Sequence, residues 1–168
     1  MSVEYIKSGI EAANNTINEG LGHAREADER LQRVEGVLSH IMQTLKGISF
    51  IEIEYDLRAL GGESRTAGNA FQSSADKLAG VIDGSHDDSL ATAQQLTHEG
   101  WRLFANGAKA AADMEDDVHK RANRQLSAIV NTTSYLLEKL HTVQNGQTQA
   151  QTAGSEAVEI STNYSEGL

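Results

Sequence analysis

In Asp116-Asp117-Val118-His119 and Glu138-Lys139-Leu140-His141 a histidine follows a carboxylate by three residues within a helical stretch. On a helix that spacing puts carboxylate and imidazole on one face, the arrangement with which di-iron four-helix bundles hold their metals. Such a site needs two pairs on facing helices. These pairs lie 22 residues apart in what reads as a single helix, roughly 33 Å at ~1.5 Å per residue, so they cannot share an ion within one chain. The expectation is solvated helix-surface pairs, with no metal and no cofactor. A ferritin-like metal-binding bundle is the weakest of the functional alternatives.

Other chemistry finds no foothold. There is no Gly-rich phosphate loop, no His-Glu-x-x-His run and no nucleophile elbow, and Gly61-Gly62 has neither a preceding strand nor a following Lys-Ser/Thr. Cysteine is absent, which excludes thiolate nucleophiles, thiolate zinc sites and disulfides. No catalytic residue is assigned, and the chain is expected not to be an enzyme. Its net charge of −10 repels phosphate backbones, and Lys120, Arg121 and Arg124 form the one basic cluster, so nucleic acid is not an expected partner. No apolar run approaches the ~20 residues of a membrane span. The opening Met-Ser-Val-Glu-Tyr lacks a basic region followed by a hydrophobic one, so the expected location is cytoplasmic, or exported without a classical signal peptide.

The elements that position these side chains are helices. Proline is absent and aromatics make up only 5% of the chain, which favours long helices and disfavours a sheet core. Alternating steps of three and four from Val3 give Ile6, Ile10, Ala13, Ile17, Gly20, Ala24, Ala27, Leu31, Val34, Leu38, Ile41, Leu45 and Ile48, an unbroken heptad seam. Its middle is small and its later part large, so the two ends should pack differently. Gly47 is the expected cap, and Ile48 to Tyr55 alternates with period two, read as a turn into a second helix with a short strand as the alternative. The helical period returns at Leu57, Leu60, Ser64, Ala67, Phe71, Ser74, Leu78 and Val81, with a kink or break expected at Gly61-Gly62.

Asp83-Gly84-Ser85-His86-Asp87-Asp88 reads as a turn. From Leu90 through Phe104, Met114, Val118, Leu126, Leu136 and Val143 one stripe continues in phase, across Asn106-Gly107, and is read as one helix. After Asn145-Gly146 the composition turns polar, and a weak helix or mobile tail is expected. The fold class is therefore all-α: an elongated antiparallel bundle over residues 1–145, with three long helices at about 3–47, 52–83 and 87–144, and a polar tail or short helix at 146–168.

Leu60-Gly61-Gly62, followed by Glu63, Ala67, Ala70 and Phe71 and by the apolar stripe to Leu78, matches a Leu-x-Gly motif between two amphipathic helices. In this, residues 1–83 resemble the helical-hairpin superfamily of type VII secretion, the WXG and LXG proteins. The resemblance implies that Leu60, Gly61 and Gly62 mark a turn between antiparallel helices. It also implies a small helical partner, export without a signal peptide, and a larger secreted toxin as cargo. The superfamily's C-terminal Tyr-x-x-x-Asp/Glu pattern is not met at Tyr164, where Glu166 comes two positions on, which points to a chain that shares a partner's export signal.

The function expected is that of a non-enzymatic adaptor or targeting partner acting through helix–helix binding, with self-association into a coiled-coil oligomer as a variant. The alternative is a structural protein of a phage or bacterial appendage. The residues expected to form the interface are Ile10, Ala13, Ile17, Leu21, Leu31, Leu38 and Trp101, each with core burial as its alternative, because apolar seams and tryptophan serve both ends. Limited proteolysis of folded protein is expected to leave the first helix uncut at Gly20 and Gly22; a nick there would contradict a continuous rod.

Overall fold

The computed structural model describes residues 2–44, 50–82, 88–121 and 126–168, without the side chains of 50, 51, 121 and 126–129. Four helices lie among the described residues: α1 (Val3–Thr44), α2 (Phe50–Ile82), α3 (Asp88–Arg121) and α4 (Leu126–Glu166). Each packs on the next and α4 closes back onto α1, which makes an up-down-up-down four-helix bundle. No strand occurs among the described residues, and the ambiguous segment is helical from Phe50 onward. Leu45, Gly47, Ile48 and the turn expected at Asp83 to Asp87 lie outside the described residues.

Heptad spacing explains why these helices are long. All α1 seam positions from Ile6 to Ile41 are buried, whereas Val3 stays 46% exposed. α2 repeats the pattern at Ile53, Leu57, Leu60, Ser64, Ala67, Phe71, Ser74, Leu78 and Val81, all buried. Removing such a stripe from water, at about 1.5–3 kcal/mol per large apolar side chain, holds a 42-residue helix that its own propensity would not. The core falls into a large-residue half around Leu38, Leu57, Leu60 and Leu140, a small-residue middle around Ala13, Ala24, Phe71 and Ala150, and an end cluster of Ile6, Ile10, Val81 and Leu90.

Three sequence expectations are corrected. The stripe read as one helix over 87–144 is two antiparallel helices, because α3 ends at Arg121 and α4 begins at Leu126; apolar phase alone does not reveal a reversal of direction. The polar tail is the second half of α4, a helix of 41 residues, with Ala150, Ala153, Ala157 and Ser161 buried. Gly61-Gly62 does not break α2, and Leu60-Gly61-Gly62 is not a turn. Leu60 and Gly61 are buried, and Gly61 lies against α3, where an added Cβ would meet Ala111 Cβ at 3.4 Å. The small residue serves close helix approach.

The small-residue middle has a specific cause. The ring of Phe71 fills the centre of the bundle, meeting Phe104 edge-on at 5.1 Å and 81°. An added Cβ at Gly20 on α1 would lie 2.9 Å from that ring, and at Gly100 on α3 or Gly154 on α4 only 2.5 Å. One bulky residue on α2 thus requires glycine on each of the other three helices. Gly36 and Gly80, by contrast, have nothing within 4 Å of an added Cβ. Thermal or chemical unfolding is expected to show Gly100→Ala and Gly154→Ala each destabilised by about 1–3 kcal/mol from overpacking. Gly36→Ala and Gly80→Ala should be stabilised by roughly 0.5–1 kcal/mol through helix propensity.

Candidate functional site

The antiparallel α1–α2 register is set from inside the bundle. Buried Ser74 donates its hydroxyl proton to the Ala13 carbonyl at 2.8 Å, and Lys77 Nζ donates to Thr16 Oγ1 at 2.7 Å. Farther along, Arg30 Nη1 pairs with Asp56 Oδ1 at 3.0 Å. Between these pins, His23 flanks the seam residues Gly20 and Ala24, and Glu63 flanks Leu60 and Ser64. His23 Nδ1 lies 2.7 Å from Glu63 Oε2, and Glu26, one helical turn beyond His23, completes a group whose ligand-capable atoms all lie within 4.8 Å of one another. His23 and Glu63 are half-buried and Glu26 is exposed, so the group opens to solvent.

The histidine pairs singled out by spacing are arranged differently. Asp116 and His119 lie on α3, and Glu138 and His141 on α4, so they belong to two helices rather than one. The Asp113–Lys139 contact at 3.8 Å sets the register and puts His119 level with about residue 133, leaving the two imidazoles about 12 Å apart along the axis. Asp116 pairs with Lys120 at 2.8 Å, and His119 Nδ1 faces Glu54 Oε1 at 3.2 Å. The Tyr135 hydroxyl, reinforced by Asp113 and Asp117, holds the Lys139 ammonium above its usual range. Asp116, His119, Glu138 and His141 are all exposed on the helix surfaces.

Of the residues expected to form a partner interface, Ile10, Ala13, Ile17, Leu31 and Leu38 are within the chain's own core. That burial is the alternative reading of each: α2 and α4 both pack on α1 along this seam, and α4 is nearly as long as α1. Leu21 and Trp101 are half-buried at the rim of the middle cluster. The Trp101 ring rests edge-on against His98 at 4.7 Å.

The backbones of α1 and α4 make fewer close approaches than those of the other three neighbouring pairs. Two open grooves run along the α1–α4 seam, one of about 410 Å³ beside Lys7, Asn14, Asn18 and Thr162, the other of about 480 Å³ beside Asp28, Gln151, Ser155 and Glu159. The helices are joined here by polar links: Asn14 Nδ2 donates to Thr162 Oγ1 at 3.2 Å and Gln151 Nε2 to Asp28 Oδ2 at 2.8 Å. Asn14 Oδ1 and Ser161 Oγ are buried with no hydrogen-bond partner among the described residues.

No family model, curated protein or solved structure matches this chain.

His23, Glu26 and Glu63 carry a signal in the sequence: His23-Ala24-Arg25-Glu26 has the same three-residue spacing as the other pairs, in reverse order. Adding Glu63 needs the antiparallel register, which no local pattern supplies. The same holds for the buried link between Gln147 Nε2 and Ser64 Oγ, which crosses the bundle from α4 to α2 and leaves Gln147 Oε1 without a partner among the described residues. Ser64→Ala alone is expected to cost about 1–2 kcal/mol in urea unfolding by stranding the Gln147 amide. The double variant Ser64→Ala/Gln147→Met should recover that loss, because both polar partners leave together.

Proposed function

We propose that this chain is a non-enzymatic adaptor or targeting partner that accepts a helix of another protein along its α1–α4 seam. The observation that carries the reading is that seam itself, where the two backbones approach least often and two grooves lie in line. Asn14 and Asp28 mark their positions on α1, about 21 Å apart, so a helix of ~20 residues reaches both. The lining favours a polar helical face. Lys7, Glu11 and Glu166 give the first groove mixed charge, whereas Asp28, Glu156 and Glu159 make the second acidic, which suits lysine or arginine at one end of the incoming helix. Ile17 builds the platform from within, and the almost fully buried Ile10 lines the first groove.

Kinship with the WXG and LXG proteins of type VII secretion remains part of the proposal. An antiparallel α1–α2 hairpin with continuous apolar stripes supports it, while Leu60-Gly61-Gly62 lies inside the second arm and leaves the resemblance resting on residue identity. A small helical partner and a larger secreted toxin are the partners this kinship implies.

Co-expression with the products of neighbouring genes is expected to yield a defined heteromer by light scattering. A photo-crosslinking residue at Asn18 or Ser155 should capture the partner, and one at Gln72 on α2 should not. Glu156→Lys/Glu159→Lys should weaken the complex by roughly tenfold or more. Recovery of the chain alone alongside soluble neighbours, or capture from Gln72 only, contradicts the proposal. Growth of the pure chain into polymers with concentration favours the appendage reading instead.

A further inference from the structure

We propose that His23, Glu26 and Glu63 form a binding site for one divalent ion of the zinc class on the α1–α2 face. The ligand set is one imidazole nitrogen and two carboxylate oxygens, mutually within 4.8 Å. Three protein ligands with an open, water-accessible position are what zinc takes where it is not fully enclosed. Imidazole among carboxylates favours zinc and its transition-metal neighbours over magnesium or calcium, which prefer oxygen alone.

The geometry needs only side-chain movement. Tetrahedral bonds of ~2.0–2.2 Å separate ligand atoms by about 3.3–3.6 Å. His23 Nδ1 and Glu63 Oε2, at 2.7 Å, would part by under an ångström while Glu26 swings in. The backbones that carry them are fixed by the buried Ala24, Ala27, Leu60 and Ser64 and by the Ser74–Ala13 and Arg30–Asp56 links.

Charge supplies the second, independent argument. Several carboxylates on the bundle pair with full cations: Asp56 with Arg30, Glu115 with Arg58, Glu99 with Arg102 and Asp116 with Lys120. Here two carboxylates converge on one imidazole, and Glu26 has no hydrogen bond or ion pair among the described residues. That places two carboxylate oxygens and one imidazole nitrogen, all open to solvent, within reach of a single ion. His119 with Glu54, a single imidazole–carboxylate pair, lacks the second carboxylate and serves as an internal control. The site lies on the α1–α2 face and not on the α1–α4 seam, so it stands or falls separately from the docking proposal.

The test is calorimetric titration of the tag-free full chain with Zn²⁺ in a non-chelating buffer, with Mg²⁺ as the comparison ion. One Zn²⁺ per chain and no Mg²⁺ binding are expected. His23→Gln, Glu63→Gln and Glu26→Gln should each weaken binding by at least ~10–100-fold, the range seen when even outer-shell partners are lost. His119→Gln should leave it unchanged. Glu26→Gln removes an exposed, unpaired side chain and so keeps the test valid if another variant misfolds by circular dichroism. Absence of saturable Zn²⁺ binding, wild-type affinity in Glu26→Gln or His23→Gln, or an equal loss in His119→Gln overturns the proposal.

Discussion

The bundle depends on one ring. Phe71 occupies the axis at the level where α1, α3 and α4 each present a glycine, and any side chain at Gly100 or Gly154 would penetrate it. Each glycine in a helix interior costs about 1 kcal/mol in propensity, a cost offset by full burial of Phe71 and its edge-on contact with Phe104. This constraint specifies which helices meet and at what height. It couples positions 51, 29 and 83 residues away from Phe71 through a single side chain, and so ties the last helix to the first three.

That constraint also explains what the sequence conceals. The first helix was legible residue by residue, because Ile6 through Ile41 alternate by three and four without exception, and α2 followed the same rule from Leu57. The C-terminal half of α4 was not legible as a packed helix. Facing Phe71 and the small residues of α1, its core positions are Gln147, Ala150, Gly154, Ala157 and Ser161, all small or polar. A hydrophobicity pattern registers such a stripe as a tail. The α3–α4 reversal was hidden for a different reason: Val118, Leu136 and Leu140 keep helical phase across it, and phase carries no information about direction. The same blindness placed Asp116, His119, Glu138 and His141 on one helix.

Site chemistry was legible only in part. His23 and Glu26 share a local spacing that any pass along the chain can find, but Glu63 joins them through the register that Ser74 and Ala13 set. The interface residues chosen from the α1 seam were buried because the chain contains its own fourth helix. α4 covers that seam, and on its solvent side the join between α1 and α4 carries polar links such as Asn14–Thr162. Apolar contacts set the architecture, and polar contacts at the α1–α4 seam and on the α1–α2 face are where binding is proposed.

The central claim is that residues 146–161 are an integral wall of the bundle, closing it around Phe71. Amide hydrogen exchange of the native chain tests it directly. Protection of the amides of Gln147 to Ala157 comparable to that of Ala13 to Ala27 is the result this structure requires. Exchange of that segment at the rate of an unstructured chain, with α1 still protected, would contradict it.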